Sequence, residues 1–330
     1  MMTRVLPPML MPTNPRVDLS FERGEGPYLF GSDGNRYLDF FSGIAVNALG
    51  HAHPHLVETI KAHADKVWHT SNNYRIPEQE RLAERLTANS FANRVFFCNS
   101  GLEAAEGAIK LARKAQHSEG KLKRNCIVTV EGAFHGRSLA ALAATGNRKY
   151  LEGFGPPASG FCQIPYGEID ALENALTPNV AAVMLEPIQG EGGVREFSVE
   201  YLRHVRRLCD ANGLLLILDE VQCGMGRTGR LFAHQWAEIS PDIMMLAKGM
   251  GGGFPVGAIL ATERVSSCLT PGTHGSTFGG NPLAMAVANA VLDILLKPGF
   301  LDEVYRISVE LRTRLESFVE RHPDVFSDTS

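Results

Sequence analysis

The sequence predicts an α/β fold: a mainly parallel central sheet with helices on both faces, plus a smaller α+β domain. Three observations carry this. Short runs that are apolar throughout alternate with helix-like segments along the middle of the chain, the pattern of a parallel sheet covered on both faces. Polar clusters follow those runs repeatedly, as expected where ligands bind beyond the carboxyl ends of strands. The two ends of the chain carry different patterns from the middle.

The first element is N-terminal. Residues 17–21, 28–30 and 36–41, punctuated by Gly31 and Asp33-Gly34, suggest a small antiparallel element. Apolar runs then fall at 94–98, 126–130, 180–185, 214–218, 243–246 and 256–261, with helical patterns such as 103–115 and 199–212 between them. After Gly280-Asn281-Pro282 a helical pattern begins, breaks at Pro298-Gly299, and runs to about 320. The expected organisation is therefore 1–46 as a distinct N-terminal segment, 47–282 as the large domain, and 283–330 as a connecting helix and the start of a C-terminal small domain.

Composition narrows the function. The chain has 330 residues, 44% hydrophobic and 21% charged, which is ordinary for a soluble globular protein. A formal net charge of −4 gives no reason to expect nucleic acid or an anionic membrane as partner. No apolar run reaches bilayer length, and Met1 to Arg16, with four prolines, does not read as a signal or transit peptide. The six cysteines form no CxxC pair and several lie in apolar runs, so buried reduced thiols and a cytoplasmic location are expected.

Five polar clusters sit at equivalent strand ends: Asn99-Ser100-Gly101, Glu131 to Arg137, Glu186 to Gly193, Asp219-Glu220, and Lys248-Gly249. Ser100-Gly101-Leu102-Glu103 has the form of a capping box. It reads either as an ordinary helix cap or as an anion site at a helix N-terminus, with Gly101 letting the anion approach. Asp219, ending an apolar run, is costly to bury unless paired. It reads either as a magnesium-holding acid or as a carboxylate facing a cationic ring nitrogen. The first reading needs a phosphate-binding GxxxxGK[ST] loop, which the sequence lacks. Lys248, before Gly249 and Gly251-Gly252-Gly253, is either a surface lysine or a partly desolvated amine available as a nucleophile. His51, His53 and His55 have no matching acidic ligand set, so no metal is expected. The glycine-rich turn Gly224 to Gly229 lacks the strand-to-helix placement of a dinucleotide site.

Together these stretches resemble the class III aminotransferases, and most closely the acetylornithine aminotransferases. The matching stretches are Ser42–Val46 with Leu49-Gly50-His51; Asn99-Ser100-Gly101 with Glu103-Ala104; Phe134-His135-Gly136-Arg137; Glu186 to Gly193; Asp219-Glu220-Val221-Gln222 with Gly226 to Gly229; Ala247-Lys248; and His274 to Pro282. They follow the family's order across nearly the whole chain. The resemblance implies the type I pyridoxal-phosphate transferase fold, in which residues 1–46 contribute to the small domain, and pyridoxal 5'-phosphate as cofactor, carried on Lys248 as a Schiff base. It implies that Asp219 pairs with the ring nitrogen, that Phe134 and Val221 flank the ring, and that Gln222 lies near the ring hydroxyl. Ser100, Gly101, Leu102, His135 and Glu186 complete the cofactor set. Thr277, with Ser276, would reach the cofactor phosphate of a partner subunit in a homodimer. Ile44, Arg137 and Glu191 would border the substrate. The implied reaction moves the terminal amino group of N-acetylornithine to 2-oxoglutarate in arginine biosynthesis. Succinylornithine, ornithine and 4-aminobutyrate are the alternative donors.

There are departures. Leu102, Ala105 and Cys223 stand where the family often has a smaller residue, Asn, and Thr or Ser. Family members also continue past the point where this sequence ends, at Ser330, and a later arginine there pairs with the position of Glu191. A cofactor-binding chain with little activity is therefore the alternative from another class.

Overall fold

A computed structural model describes residues 9–326. The first eight and last four residues of the domain assignments lie outside it. Its centre is a seven-stranded sheet of β4 (Arg94–Cys98), β5 (Cys126–Val130), β6 (Phe161–Ile164), β7 (Val180–Leu185), β10 (Leu215–Asp219), β11 (Ile243–Leu246) and β12 (Gly257–Ala261), in the order β4-β12-β11-β10-β7-β5-β6. Strands β6, β5, β7, β10 and β11 are parallel. Strand β12 runs antiparallel to both β11 and β4, so it alone is reversed.

The expected apolar runs form strands at or within one residue of their predicted bounds, because β5, β7, β10, β11 and β12 are buried at every position and so read as unbroken apolar runs. Strand β6 was not legible. Its sequence, Phe161-Cys162-Gln163-Ile164, sits at the sheet edge and is mostly half-buried.

Helices cover both faces. Pro54–Ala64, Pro77–Ala88 and Pro282–Leu295 pack together on one face over Met244, Leu246, Ala258 and Leu260. On the other face Gly101–Ser118 packs through its alanine-rich stripe on Ile217, Met245 and Ile259, and Val199–Asn212 covers Val183, Leu216 and Leu218. Ser198 caps the latter helix, accepting from the Tyr201 N–H at 3.1 Å, and Gly213 ends it in the left-handed region. Helix Phe300–Arg321 follows Pro282–Leu295 and has no buried residue. Among the described residues no single helix is long and apolar enough to cross a membrane.

At the N-terminus, β1 (Phe21–Glu25), β2 (Tyr28–Gly31) and β3 (Arg36–Leu38) form a separate antiparallel sheet, and β8 (Ile188–Gln189) pairs antiparallel with β9 (Arg195–Glu196) as a short ribbon. The first strand lies four residues later than the apolar residues 17–21 suggest. A tight turn at Gly26, φ +53, pairs Glu25 with Tyr28 and so fixes the register against the local hydrophobic cue.

Gly257 opens β12 where no side chain fits: a Cβ there would lie 2.6 Å from the Ser100 carbonyl oxygen, a backbone atom with little freedom to retreat. Gly257→Ala is expected to cost about 1–3 kcal/mol of stability, read as a lower denaturant midpoint at unchanged slope.

Candidate active site

The carboxyl ends of β4, β5, β7, β10 and β11 open on a cavity of about 420 Å³. Because β12 is reversed, its leading residues Val256, Pro255 and Phe254 close the same edge. Ser100, Gly101, Leu102, Phe134, His135, Arg137, Glu186, Glu191, Asp219, Val221, Gln222 and Lys248 all line this one cavity. The strand-end clusters marked in the sequence, Asn99 among them, meet here; Val46 and Gly136 also line the cavity and were not singled out as site residues. Val46 adjoins the stretch that holds Ile44, and an apolar residue in a loop gives no signal of its own.

Two expected residues are not in the lining. Ile44 is exposed and is not among the residues that line the cavity, whereas Val46, two residues on, is. Thr277 lies on another surface, beside Ser276, whose hydroxyl is engaged within its own chain: it meets Asn99 Nδ2 at 3.3 Å and accepts from the Gly279 N–H at 3.0 Å.

The N-terminus of Gly101–Ser118 forms one end of the cavity. Ser100 Oγ accepts from the Glu103 N–H at 3.3 Å, half of the predicted capping box. The Glu103 carboxylate reaches one residue further back than the box requires and accepts from the Asn99 N–H. The N–H groups of Gly101 and Leu102 belong to the helix's first turn, which has no acceptor within the helix, so they face the cavity as donors. A Cβ on Gly101 would lie 2.8 Å from Val221 Cγ1, so only glycine lets these two walls meet.

The carboxylate that closes β10 is paired, as its burial demands. Asp219 Oδ2 lies 2.7 Å from His135 Nδ1, with both side chains almost wholly buried. Its Oδ1 accepts from the Val221 N–H at 3.1 Å. Burial works against a charged His135 ring, but the bond to Asp219 and the charges of Asp219 and Glu186 outweigh it, and the His135 pKa is raised. His135 is held from behind, its N–H donating to Thr145 Oγ1 at 3.1 Å. Glu186 accepts from the Phe134 N–H at 2.8 Å and the Gly190 N–H at 3.3 Å. Its pKa is raised, first by burial and then by the charge of Asp219.

Lys248 follows β11 with φ +44, a left-handed conformation that strains any residue with a Cβ. Burial lowers its pKa, against the opposing pull of Asp219, Glu186 and Glu191. The site therefore holds a partly desolvated amine, a buried carboxylate, a ring of apolar contacts and a helix N-terminus in one cavity. Arg137 brings a cation to its rim, its guanidinium lying 3.8 Å from the centre of the Tyr150 ring.

The three histidines of the 51–55 stretch do different things. His51 pairs with Asp39 at 2.7 Å, His53 caps the helix that starts at Pro54, and His55 meets Asp293 at 2.9 Å. The glycine-rich turn 224–229 packs on the Phe300–Arg321 helix, where a Cβ on Gly229 would lie 2.7 Å from Tyr305 Cβ. All six cysteines are free thiols.

Comparison with known proteins agrees with this arrangement. The profile described as aminotransferase class-III matches residues 11–329. The acetylornithine aminotransferase 1 of Bradyrhizobium diazoefficiens is 58% identical over 327 residues, 99% of this chain and 81% of that protein. The acetylornithine aminotransferase of Brucella melitensis is 58% identical over 97% of this chain and 79% of its own length. Among solved structures, the ornithine aminotransferase of Toxoplasma gondii superposes with a TM-score of 0.89 at 35% identity, over 92% of this chain and 73% of that one. The N-acetylornithine aminotransferase of Stenotrophomonas maltophilia gives 0.81 at 42%, over 95% and 78%. With a matching profile over nearly its full length, the chain belongs to the class III aminotransferase family.

Proposed function

We propose that this chain is an acetylornithine aminotransferase, using pyridoxal 5'-phosphate to move the terminal amino group of N-acetylornithine to 2-oxoglutarate. The observation that carries the reading is the 58% identity to acetylornithine aminotransferases over 99% of the chain. The cavity's donor set fits the cofactor. A lysine with a lowered pKa can carry it, a buried carboxylate can face a cationic ring nitrogen, and free N–H groups at Gly101 and Leu102 can take a phosphate. When bound, the cofactor supplies an electron sink for the pair released as the substrate's C–H bond breaks.

The chain's own groups do the rest. Lys248 Nζ, its pKa lowered by burial, would take the proton from the substrate's amine-bearing carbon and deliver it to the cofactor, a general acid–base contribution of about 10²–10⁴-fold. Asp219, fixed by His135 and the Val221 N–H, would face the ring nitrogen. Phe134 and Val221, which line the cavity, would flank the ring and exclude water, and Gln222 would lie near the ring hydroxyl. Arg137 binds a substrate carboxylate at the rim, and Glu191 borders the same space.

Thr277 lies outside its own chain's cavity, which supports a homodimer in which it and Ser276 serve the cofactor phosphate of a partner subunit. Six free cysteines support a reducing compartment, and we place the enzyme in the cytoplasm. The test is a donor panel at fixed 2-oxoglutarate. We expect kcat/KM for N-acetylornithine to exceed that for ornithine by about tenfold or more, because ornithine's charged α-amino group meets the apolar Val46 rather than a designed partner. A higher kcat/KM for ornithine or 4-aminobutyrate overturns the assignment.

A further inference from the structure

The segment that carries Val46 into the cavity is held in an unusual backbone conformation. Ser42, Gly43, Ile44 and Ala45 have φ of 53, 65, 63 and 60°, a full turn of left-handed backbone of which only one residue is glycine. Val46 returns to φ −89, ψ −45. Left-handed turns are unfavourable for L-residues, and a β-branched Ile44 there is exceptional. Such a turn persists only where its surroundings over-determine it.

One side chain dominates those surroundings. Asp39 Oδ1 accepts from the N–H groups of Phe41 and Ser42, both at 2.9 Å, at the entrance of the turn. Asp39 Oδ2 is held 2.7 Å from His51 Nε2 at the far end of the loop. Both side chains are largely shielded, at 7% and 18% exposure. Burial works to raise the Asp39 pKa, but the Ser42 N–H, the His51 ring and the Phe41 N–H together hold it below its ordinary value. His51 is itself fixed to the N-terminal sheet by a reciprocal backbone pair with Gly26, at 3.0 and 2.8 Å. Gly24 makes room for its ring, since a Cβ there would lie 2.5 Å from His51 Cβ. On the other side, Arg227 donates to the Ala45 carbonyl at 3.0 Å. The turn is thus a wall between two spaces: Val46 lines the cavity, and Ala45 lines an adjoining groove of about 520 Å³.

We propose that Asp39 and His51 are positioning residues: together they latch the left-handed 42–45 turn, and so set where the amino donor meets Val46. Neither residue lines the cavity, so neither touches the reacting atoms. The inference rests on the reading that this cavity receives the amino donor. Without the latch the turn relaxes toward right-handed or extended backbone, Val46 shifts, and donor binding weakens while Lys248 and Asp219 stay in place.

The test uses the full chain loaded with pyridoxal 5'-phosphate and the variants His51→Ala, His51→Gln and Asp39→Ala. Hydrogen exchange is followed by peptide over residues 40–50 and over β7 and β10. His51→Ala and Asp39→Ala are expected to speed exchange in 40–50 while β7 and β10 keep their protection. Steady-state kinetics should show KM for N-acetylornithine raised about tenfold, with kcat within about threefold of the parent chain. His51→Gln, whose amide nitrogen can replace Nε2 as a donor to Asp39, should restore both readouts. A tether that only steadied the N-terminal sheet would lower stability without splitting KM from kcat. Unchanged exchange in 40–50, an unchanged KM, or a kcat that falls in step with KM overturns the proposal, as does a His51→Gln variant no better than His51→Ala. If the parent chain itself turns over neither N-acetylornithine nor the other donors, the functional reading has failed, and exchange alone still decides whether the latch exists.

Discussion

Lys248→Ala is expected to lower transamination by about 10⁴-fold or more, since on the proposed reading it removes both the covalent attachment point and the group that moves the proton. The structure gives the reasons that this lysine and no other should act. It stands just past the end of β11, beside β10, the central strand of the seven, and among the described residues it is the one lysine lining the cavity. Burial lowers its pKa, so a larger fraction is the free amine that can attack a carbonyl carbon. Its φ of +44 sets the side chain's departure from the strand, and Gly249 behind it leaves room for Met225 Cβ, which a Cβ at that position would meet at 3.3 Å. Two measurements check the expectation. Borohydride reduction of the loaded protein followed by peptide mapping should place the cofactor on Lys248. In Lys248→Ala the cofactor should be removable by gel filtration. Label on any other lysine, or a variant that keeps more than about a hundredth of the parent rate, would sink the assignment.

Much of this site was legible in the sequence because of how parallel sheets present ligands. Strands buried on both faces read as unbroken apolar runs, so the residues just past each run could be marked as one set without knowing the strand order. Asn99, Phe134, Glu186, Asp219 and Lys248 were found in this way, and the structure brings them to one cavity. What the sequence hid has two physical origins. The first is pairing between distant residues: that Asp219 is met by His135, 84 positions away in the chain, depends on β5 and β10 lying on either side of β7, which no local pattern encodes. The second is backbone conformation that contradicts residue preference. Nothing in Ser42-Gly43-Ile44-Ala45 announces a left-handed turn, and it is Val46, not Ile44, that lines the cavity. The reversed β12 was hidden for a related reason, since its apolar run looks the same in either direction.

Asp219→Asn should retain the cofactor and lose activity by about 10²–10³-fold, the range seen when one preorganised electrostatic group is removed from a site of low dielectric. The shape of the side chain is preserved, so Oδ1 can still accept from the Val221 N–H, and the 2.7 Å contact with His135 can survive with the donor and acceptor exchanged. What is lost is the negative charge, on which two other groups depend. Asp219 is the main source of the raised His135 pKa, opposing the effect of burial. It also raises the Glu186 pKa, after burial itself. The sign of the pH effect follows from the first of these. His135 has a folded pKa above that of a free imidazole, so the pair's stabilisation is complete below about pH 6.5 and is lost as pH rises through the folded value. In Asp219→Asn that support is gone, and with it the loss on alkalinisation. The parent's thermal midpoint should therefore fall relative to the variant's as pH is raised from the acid side of that window to beyond the folded pKa. Breaking the buried pair altogether, as in Asp219→Ala, should cost more, about 3–5 kcal/mol, because it leaves the buried His135 Nδ1 without a partner. Midpoints for the three proteins across this pH range, measured beside turnover, separate the charge's role in chemistry from its role in folding. If Asp219→Asn turns over at the parent rate while its midpoint loses the pH dependence, Asp219 holds His135 and does nothing for the reaction.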